Sequence, residues 1–117
     1  MTLKIYGYAG CTTVKKARDW ATANSIDHDY QHFSKTVDLR AQIDSWVAIA
    51  GIDRVFNDKA QTLKKMDDAE RLKIIASTDS KLQAMANDPR LIKRPIGTNG
   101  TTVLSGFNPD EWGSAFN

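Results

Sequence analysis

Cys11 is the only cysteine among 117 residues, and it stands where an alternating apolar segment, Leu3 to Tyr8, passes through Gly10 into a stretch of helical periodicity. The thiolate is the nucleophile of cysteine chemistry, and a helix start favours it through unpaired N–H groups and the positive end of the helix dipole. Lys15 and Lys16 lie one turn along and add positive potential. The same N–H groups suit an oxyanion or a carboxylate. The competing assignment is an inert cysteine packed as a small hydrophobe; a position at a helix start beside glycine favours the nucleophile. A single cysteine excludes an intrachain disulfide, a dithiol active site within one chain and every cysteine-rich zinc pattern.

Other side chains offer less chemistry. His28 and His32 share a strand face, because side chains alternate along a strand. Zinc wants at least three protein ligands and no third is evident, so no metal is expected. Lys15-Lys16 and Lys64-Lys65 form no block long enough for nucleic acid, and Asp67, Asp68 and Glu70 offset the second pair. The net charge of +2 is also too small to advertise a nucleic-acid or membrane partner. Trp20, Trp46 and Trp112 fall on helical stretches and read as core anchors. At 41% hydrophobic and 26% charged the chain has the makeup of a folded globular protein, and its length suits one domain, 1–117, expected as a monomer. The N-terminal stretch lacks an apolar run of about seven residues, and no stretch approaches about 18. A cytoplasmic protein with a reduced thiol is expected.

The elements that must position Cys11 are legible from periodicity. Leu3 to Tyr8 reads as a first strand. From Cys11 onward Val14, Ala17, Arg18, Trp20 and Ala21 fall at helical spacings, ending near Asn24 or Ser25. Thr12 and Thr13, at its entrance, have hydroxyls that can cap the first N–H groups. Asp27 to Phe33 fits a second strand. A helix capped by Thr36 or Asp38 then presents Leu39, Ile43, Trp46, Val47 and Ile49, stopped by Gly51. Residues 52–66 read as an irregular polar connection, and two short helices follow over 67–76 and 78–87. Leu91 to Ile96 is expected as a third strand, with Pro95 at an edge, bulge or bend. Thr98-Asn99-Gly100-Thr101 signals a type I′ hairpin into a fourth strand, Thr101 to Leu104. A last helix carries Trp112 and Phe116. The order βαβ, a helical insertion over about 37–88, then ββα predicts an α/β thioredoxin-like fold with a four-stranded mixed sheet. That plan places a cis-proline beside the cysteine, so a cis Arg94–Pro95 bond is expected.

The run Ile5-Tyr6-Gly7-Tyr8-Ala9-Gly10-Cys11-Thr12-Thr13-Val14-Lys15-Lys16-Ala17-Arg18-Asp19-Trp20 resembles the start of the ArsC/Spx/YffB family of thioredoxin-like proteins. Leu91-Ile92-Lys93-Arg94-Pro95-Ile96 resembles that family's Arg-Pro-Ile strand, and Gly106-Phe107 with Asp110-Glu111 is similar to the tail of the Spx and YffB branches. The spacing Cys-x-x-x-Lys-Lys-Ala-Arg is most similar to the YffB branch. The resemblance implies that Cys11 is the nucleophile and that Arg94 faces the thiolate and an oxyanion or carboxylate, to which its planar fork is suited. In arsenate reductases two further arginines complete an oxyanion cage. Here one of those positions falls on Lys59, which keeps the charge but loses the fork. The other falls near Gly106 or Phe107, where no cation stands. The Spx branch often carries a Cys-x-x-Cys switch, which Val14 excludes here.

A glutathione-dependent monothiol reductase is therefore the expected function. With one cysteine, a cycle must pass through a mixed disulfide with another molecule, and glutathione is the abundant cytosolic thiol. Cys11 would attack and Arg94 would hold the thiolate or an anionic ligand. Thr12, Thr13, Lys15, Lys59 and Pro95 are the expected substrate and glutathione contacts, and glutathione or a glutaredoxin would resolve the adduct. Glutathione is thus expected as a co-substrate, without a metal or a tightly bound cofactor, and the substrate as a small thiol or oxyanion. The alternatives are arsenate reduction, weakened by the depleted cage, and a non-enzymatic Spx-like regulator binding RNA polymerase.

Overall fold

The computed structural model describes residues 2–117. Strand β1 (Leu3–Gly7) runs parallel to β2 (His28–His32) and antiparallel to β3 (Ile96–Thr98), and β3 pairs antiparallel with β4 (Val103–Ser105). The sheet order is β2-β1-β3-β4. Helix α1 (Thr12–Ala23) connects β1 to β2, and α7 (Pro109–Phe116) follows β4. This is the expected α/β thioredoxin-like fold, βαβ then ββα on a mixed four-stranded sheet. The chain forms two compact units, one made of the stretch through Val37 with Arg94–Asn117 and the other of Asp38–Lys93.

The first unit is built on the alternation of β1. Leu3 and Ile5 point to one face and are buried against Ala17, Ala21 and Trp112, with Trp20, Ile26, Leu104, Phe107 and Phe116 packed around them. Gly7 continues that face, and a Cβ there would overlap Val14. Its bare backbone, together with the small Ala17 and Ala21 four residues apart, lets α1 lie close on the sheet. Gly97 plays the same part on β3, where a Cβ would overlap the Trp112 ring.

The second unit holds α2 (Leu39–Ala50), which buries Ile43 and Trp46 and ends at Gly51 with φ 94°. Residues 52–66 depart from expectation. They contain α3 (Ile52–Val55) and α4 (Gln61–Lys64), and Val55, Phe56, Ala60 and Leu63 are buried. Each helix is a single turn, too short to set up a period against the intervening Asp and Lys residues. Helices α5 (Asp68–Ile75) and α6 (Thr78–Asn87) stand where the spacing predicts.

The third strand also differs. Pro89–Leu91 forms a 3₁₀ turn, and Ile92 bridges Phe56, flanked by bonds from Asn57 N–H to the Leu91 carbonyl (2.8 Å) and Lys93 N–H to the Val55 carbonyl (2.9 Å). Leu91 and Ile92 thus pair within the second unit, and β3 begins only after Pro95. The hairpin is longer than the Asn-Gly signal implies. Thr98 pairs with Val103, leaving four residues in the loop. Only Gly100 takes a positive φ there, at 97°, so no type I′ turn forms. Asn99 instead accepts the Thr101 and Thr102 N–H groups on its side-chain oxygen, at 3.1 and 2.9 Å, which satisfies the loop backbone locally.

One carboxylate of the second unit has a consequence for acid stability. Asp88 receives the Arg90 Nε and Nη2 at 2.9 and 2.8 Å and the Arg90 backbone N–H at 3.1 Å. Its pKa is held below the ordinary carboxylate value, first by the hydrogen bond from the Arg90 side chain, with partial burial opposing. A carboxyl depressed in the folded state contributes stability above its unfolded pKa of ~3.9 and loses it as pH falls through the lower folded value. Asp88→Asn is therefore expected to be less stable than the parent at neutral pH, with the difference shrinking below about pH 4. Urea midpoints measured at pH 7 and pH 3 check this; a constant offset would show that the charge is not involved.

Among the described residues, no helix is long and apolar enough to cross a membrane.

Candidate active site

Cys11 is the N-cap of α1, with extended backbone (φ −77°, ψ 121°), and no side chain caps this end of the helix. Thr12 and Thr13 do not act as the caps their hydroxyls allow. They already belong to the first turn, one and two residues past the N-cap position from which a side chain folds back on the N2 and N3 donors. The thiol is half-buried. The Cys11 N–H donates to the Tyr8 carbonyl at 3.4 Å, and the Cys11 carbonyl accepts from Lys15 at 3.0 Å. Gly10 takes φ 81° between them, a left-handed conformation that suits glycine in this tight entry to the helix.

Cys11 opens into a cleft of about 320 Å³ lined also by Tyr8, Thr12, Lys15 and Arg18 and by the Ala9–Gly10 segment. Of the expected contacts, Thr12 and Lys15 line this cleft. Thr13 lies on α1 but is not among the lining residues. Lys15 directs its ammonium to Asp19 at 2.6 Å, an exposed pair that draws its charge along the helix. Lys59 belongs to the second unit, where it is exposed and its backbone N–H donates to Asn57 Oδ1 at 3.2 Å.

Arg94 and Pro95 are not among the residues lining the cleft, but Arg94 lies against one that is, Tyr8. The Arg94–Pro95 bond is cis. The Arg94 guanidinium lies 5.3 Å from the centre of the Tyr8 ring, and that ring meets His32 and Phe33 edge-on, each at 5.3 Å. Pro95 is fully buried, and its carbonyl accepts the Gly106 N–H at 2.9 Å. Gly106 in turn accepts from Trp112 Nε1 at 2.9 Å. Phe107 packs on Trp20 and Trp112. The position where a second cage arginine would fall is thus occupied by core aromatic packing. Val14, three residues after Cys11, is buried against Gly7.

Two residues outside the expected site also belong to this neighbourhood. Arg18 lines the cleft, and its guanidinium lies 4.3 Å from the centre of the Tyr30 ring on β2. Such cation–π contacts are worth about 0.5–1 kcal/mol at exposed sites. The Tyr30 hydroxyl is buried without a hydrogen-bond partner among the described residues. Burial raises the Tyr30 pKa, Arg18 pulls it back and charge on Cys11 raises it again. Arg18 has a signal in the sequence: Cys11, Lys15 and Arg18 follow the four-and-three spacing of one helix face. Tyr30 has only its alternation with His28 and His32. His28 directs Nδ1 to the Ile26 carbonyl at 2.9 Å, and His32 Nδ1 accepts the Ser34 N–H at 3.1 Å.

A parallel β1-α1-β2 unit joined to an antiparallel hairpin, with one thiol heading the first helix and a cis-proline entering β3, defines a thioredoxin-fold protein with a single-cysteine site. The chain belongs to the ArsC family, whose model matches residues 6–115. It is similar to the YffB protein of known structure, with 31% identity and a TM-score of 0.87 over 99% of this chain and 100% of that one. An arsenate reductase-related protein from Brucella melitensis is 26% identical with a TM-score of 0.73, over 100% of this chain and 96% of that one. The global transcriptional regulator Spx of Streptococcus pyogenes is 27% identical over 86% of this chain and 75% of its own length. The chain is thus related both to arsenate reductases and to Spx.

Proposed function

We propose that this chain is a cytoplasmic glutathione-dependent thiol reductase in which Cys11 alone carries the chemistry. The observation that carries the reading is a half-buried thiol at the uncapped start of α1, opening into a cleft, in a chain with no second cysteine. The Cys11 thiolate attacks one sulfur of a glutathionylated or disulfide substrate. A Cys11–glutathione disulfide forms, the original S–S bond breaks, and the other sulfur leaves as a thiolate that takes a proton from water. A second glutathione thiolate, or that of a glutaredoxin, then attacks the adduct, forming an external disulfide and returning Cys11 to the thiolate. The first N–H groups of α1 and the Arg94 guanidinium stabilise negative charge beside the sulfur.

Arsenate reduction is the weaker reading. An oxyanion of high charge needs several fixed cations, each charge-assisted bond being worth roughly 1.5–3 kcal/mol, and the position near Gly106 or Phe107 that would supply one carries no cation. Incubation of the reduced protein with oxidised glutathione, followed by mass spectrometry, is expected to give one glutathione per chain, on Cys11, removed by excess reduced glutathione. Arsenate supplied with glutathione and glutaredoxin is expected to turn over weakly or not at all. Absence of the adduct would overturn the reading. Efficient arsenate reduction that is lost in Cys11→Ser would reverse the order of the two.

A further inference from the structure

We propose that Arg18 is the specificity residue of the Cys11 cleft, binding a carboxylate of the peptide portion of a glutathione-type disulfide while Cys11 attacks its sulfur; this rests on the glutathione reading above. Three observations converge on it. Arg18 lines the same cleft as Cys11. It forms no ion pair with a carboxylate among the described residues, whereas Lys15, the other cation of the cleft, is committed to Asp19. Its guanidinium is laid on the Tyr30 ring at 4.3 Å, so its direction is set before a ligand arrives.

The dimensions agree with a short peptide ligand. Arg18 follows Cys11 by seven residues, two turns on the same helix face and about 10 Å along the axis. One residue of extended peptide spans about 3.5 Å, and the reacting sulfur of glutathione is one residue from either terminal carboxylate. The ligand's own side chain and the reach of arginine cover the remainder. A planar guanidinium offers a carboxylate two parallel hydrogen bonds, which an ammonium cannot. A ligand on this path would lie along α1, with its sulfur at the helix start and its carboxylate over the second turn.

The test compares rates of adduct formation at Cys11 with two disulfides, oxidised glutathione and the uncharged 2-hydroxyethyl disulfide. The ratio of the two rates cancels any general change in thiol reactivity or folding. The parent protein is expected to prefer oxidised glutathione, and Arg18→Gln to lower that ratio by about 10-fold, equivalent to about 1.4 kcal/mol of binding. Arg18→Lys is expected to restore part of it. Tyr30→Phe, which keeps the ring, is expected to retain the ratio, whereas Tyr30→Leu lowers it several-fold. Lys4→Gln, which removes one positive charge from an exposed position on β1, is expected to leave it within twofold. An unchanged ratio in Arg18→Gln, with the glutathione adduct still forming, would overturn the role of Arg18 and leave the reductase reading standing. A parent protein that reacts with 2-hydroxyethyl disulfide but not with oxidised glutathione would overturn both.

Discussion

Truncating Trp112 to alanine is expected to lower the unfolding free energy by about 3–5 kcal/mol, the range for removing a large aromatic from a packed core. Trp112 is completely buried. Its ring meets Trp20, Phe107 and Phe116 edge-on at centroid distances of 6.1, 5.2 and 5.4 Å. It rests on the bare Cα of Gly97, and its Nε1 donates to the Gly106 carbonyl at 2.9 Å. The alanine variant therefore loses apolar burial, three ring contacts and a hydrogen bond together. Neither the strand backbone beneath nor the rings around it can close the void fully. Against a total of about 5–15 kcal/mol for a domain, this is about a fifth of the stability or more. A urea titration would show a lower midpoint at unchanged slope; a loss below about 1 kcal/mol would mean that the cluster collapses onto the space and is not the keystone of this unit. Because α1 packs in the same cluster through Ala17, Ala21 and Trp20, the thiol site is expected to fail with the fold.

Cys11→Ser is expected to do the opposite: abolish all covalent chemistry and leave the fold intact. The hydroxyl is a far poorer nucleophile at neutral pH and cannot form a mixed disulfide, so adduct formation with oxidised glutathione should fall to zero. The stability argument runs through the cap. Cys11 holds the extended backbone of an N-cap residue, yet no side-chain bond closes this helix end. Serine is among the best N-cap residues, and a side-chain oxygen there is worth about 0.5–2 kcal/mol. The variant should therefore be at least as stable as the parent and up to about 1 kcal/mol more so. Thermal or urea unfolding of the two reduced proteins checks it. A clearly destabilised serine variant would show that the thiol is packed as core, contrary to its place in the cleft. The expected gain measures how far the site leaves its helix N–H groups free for a ligand at the expense of stability.

Much of the frame was legible locally. The alternation of Leu3, Ile5 and Gly7 and the three-and-four spacing of Val14, Ala17 and Ala21 mark β1 and α1 because each pattern is complete within one element. Those two elements place Cys11 at their junction, so the position of the thiol follows from nearest neighbours in the chain. The stretch 52–66 was not legible, because a one-turn helix has no period and its burial comes from partners such as Ile92, thirty-six residues from Phe56. The hairpin misled for a related reason. Asn-Gly allows a two-residue turn, but the register of Thr98 on Val103 is decided by the pairing of β3 with both neighbours.

By itself, then, the amino-acid order determined the sheet plan, the single thiol and the exclusion of an intrachain disulfide. The last two rest on composition alone, and the sheet plan on the order of elements whose patterns are each local. Only the tertiary structure decided how the two guanidiniums are held against aromatic rings. Arg94 lies on Tyr8, and Arg18 is aimed by Tyr30, on a strand brought alongside β1 by the parallel pairing of Ile5 with Tyr30. A guanidinium on a flexible stem has no direction of its own, and the ring that gives it one is supplied by a different strand.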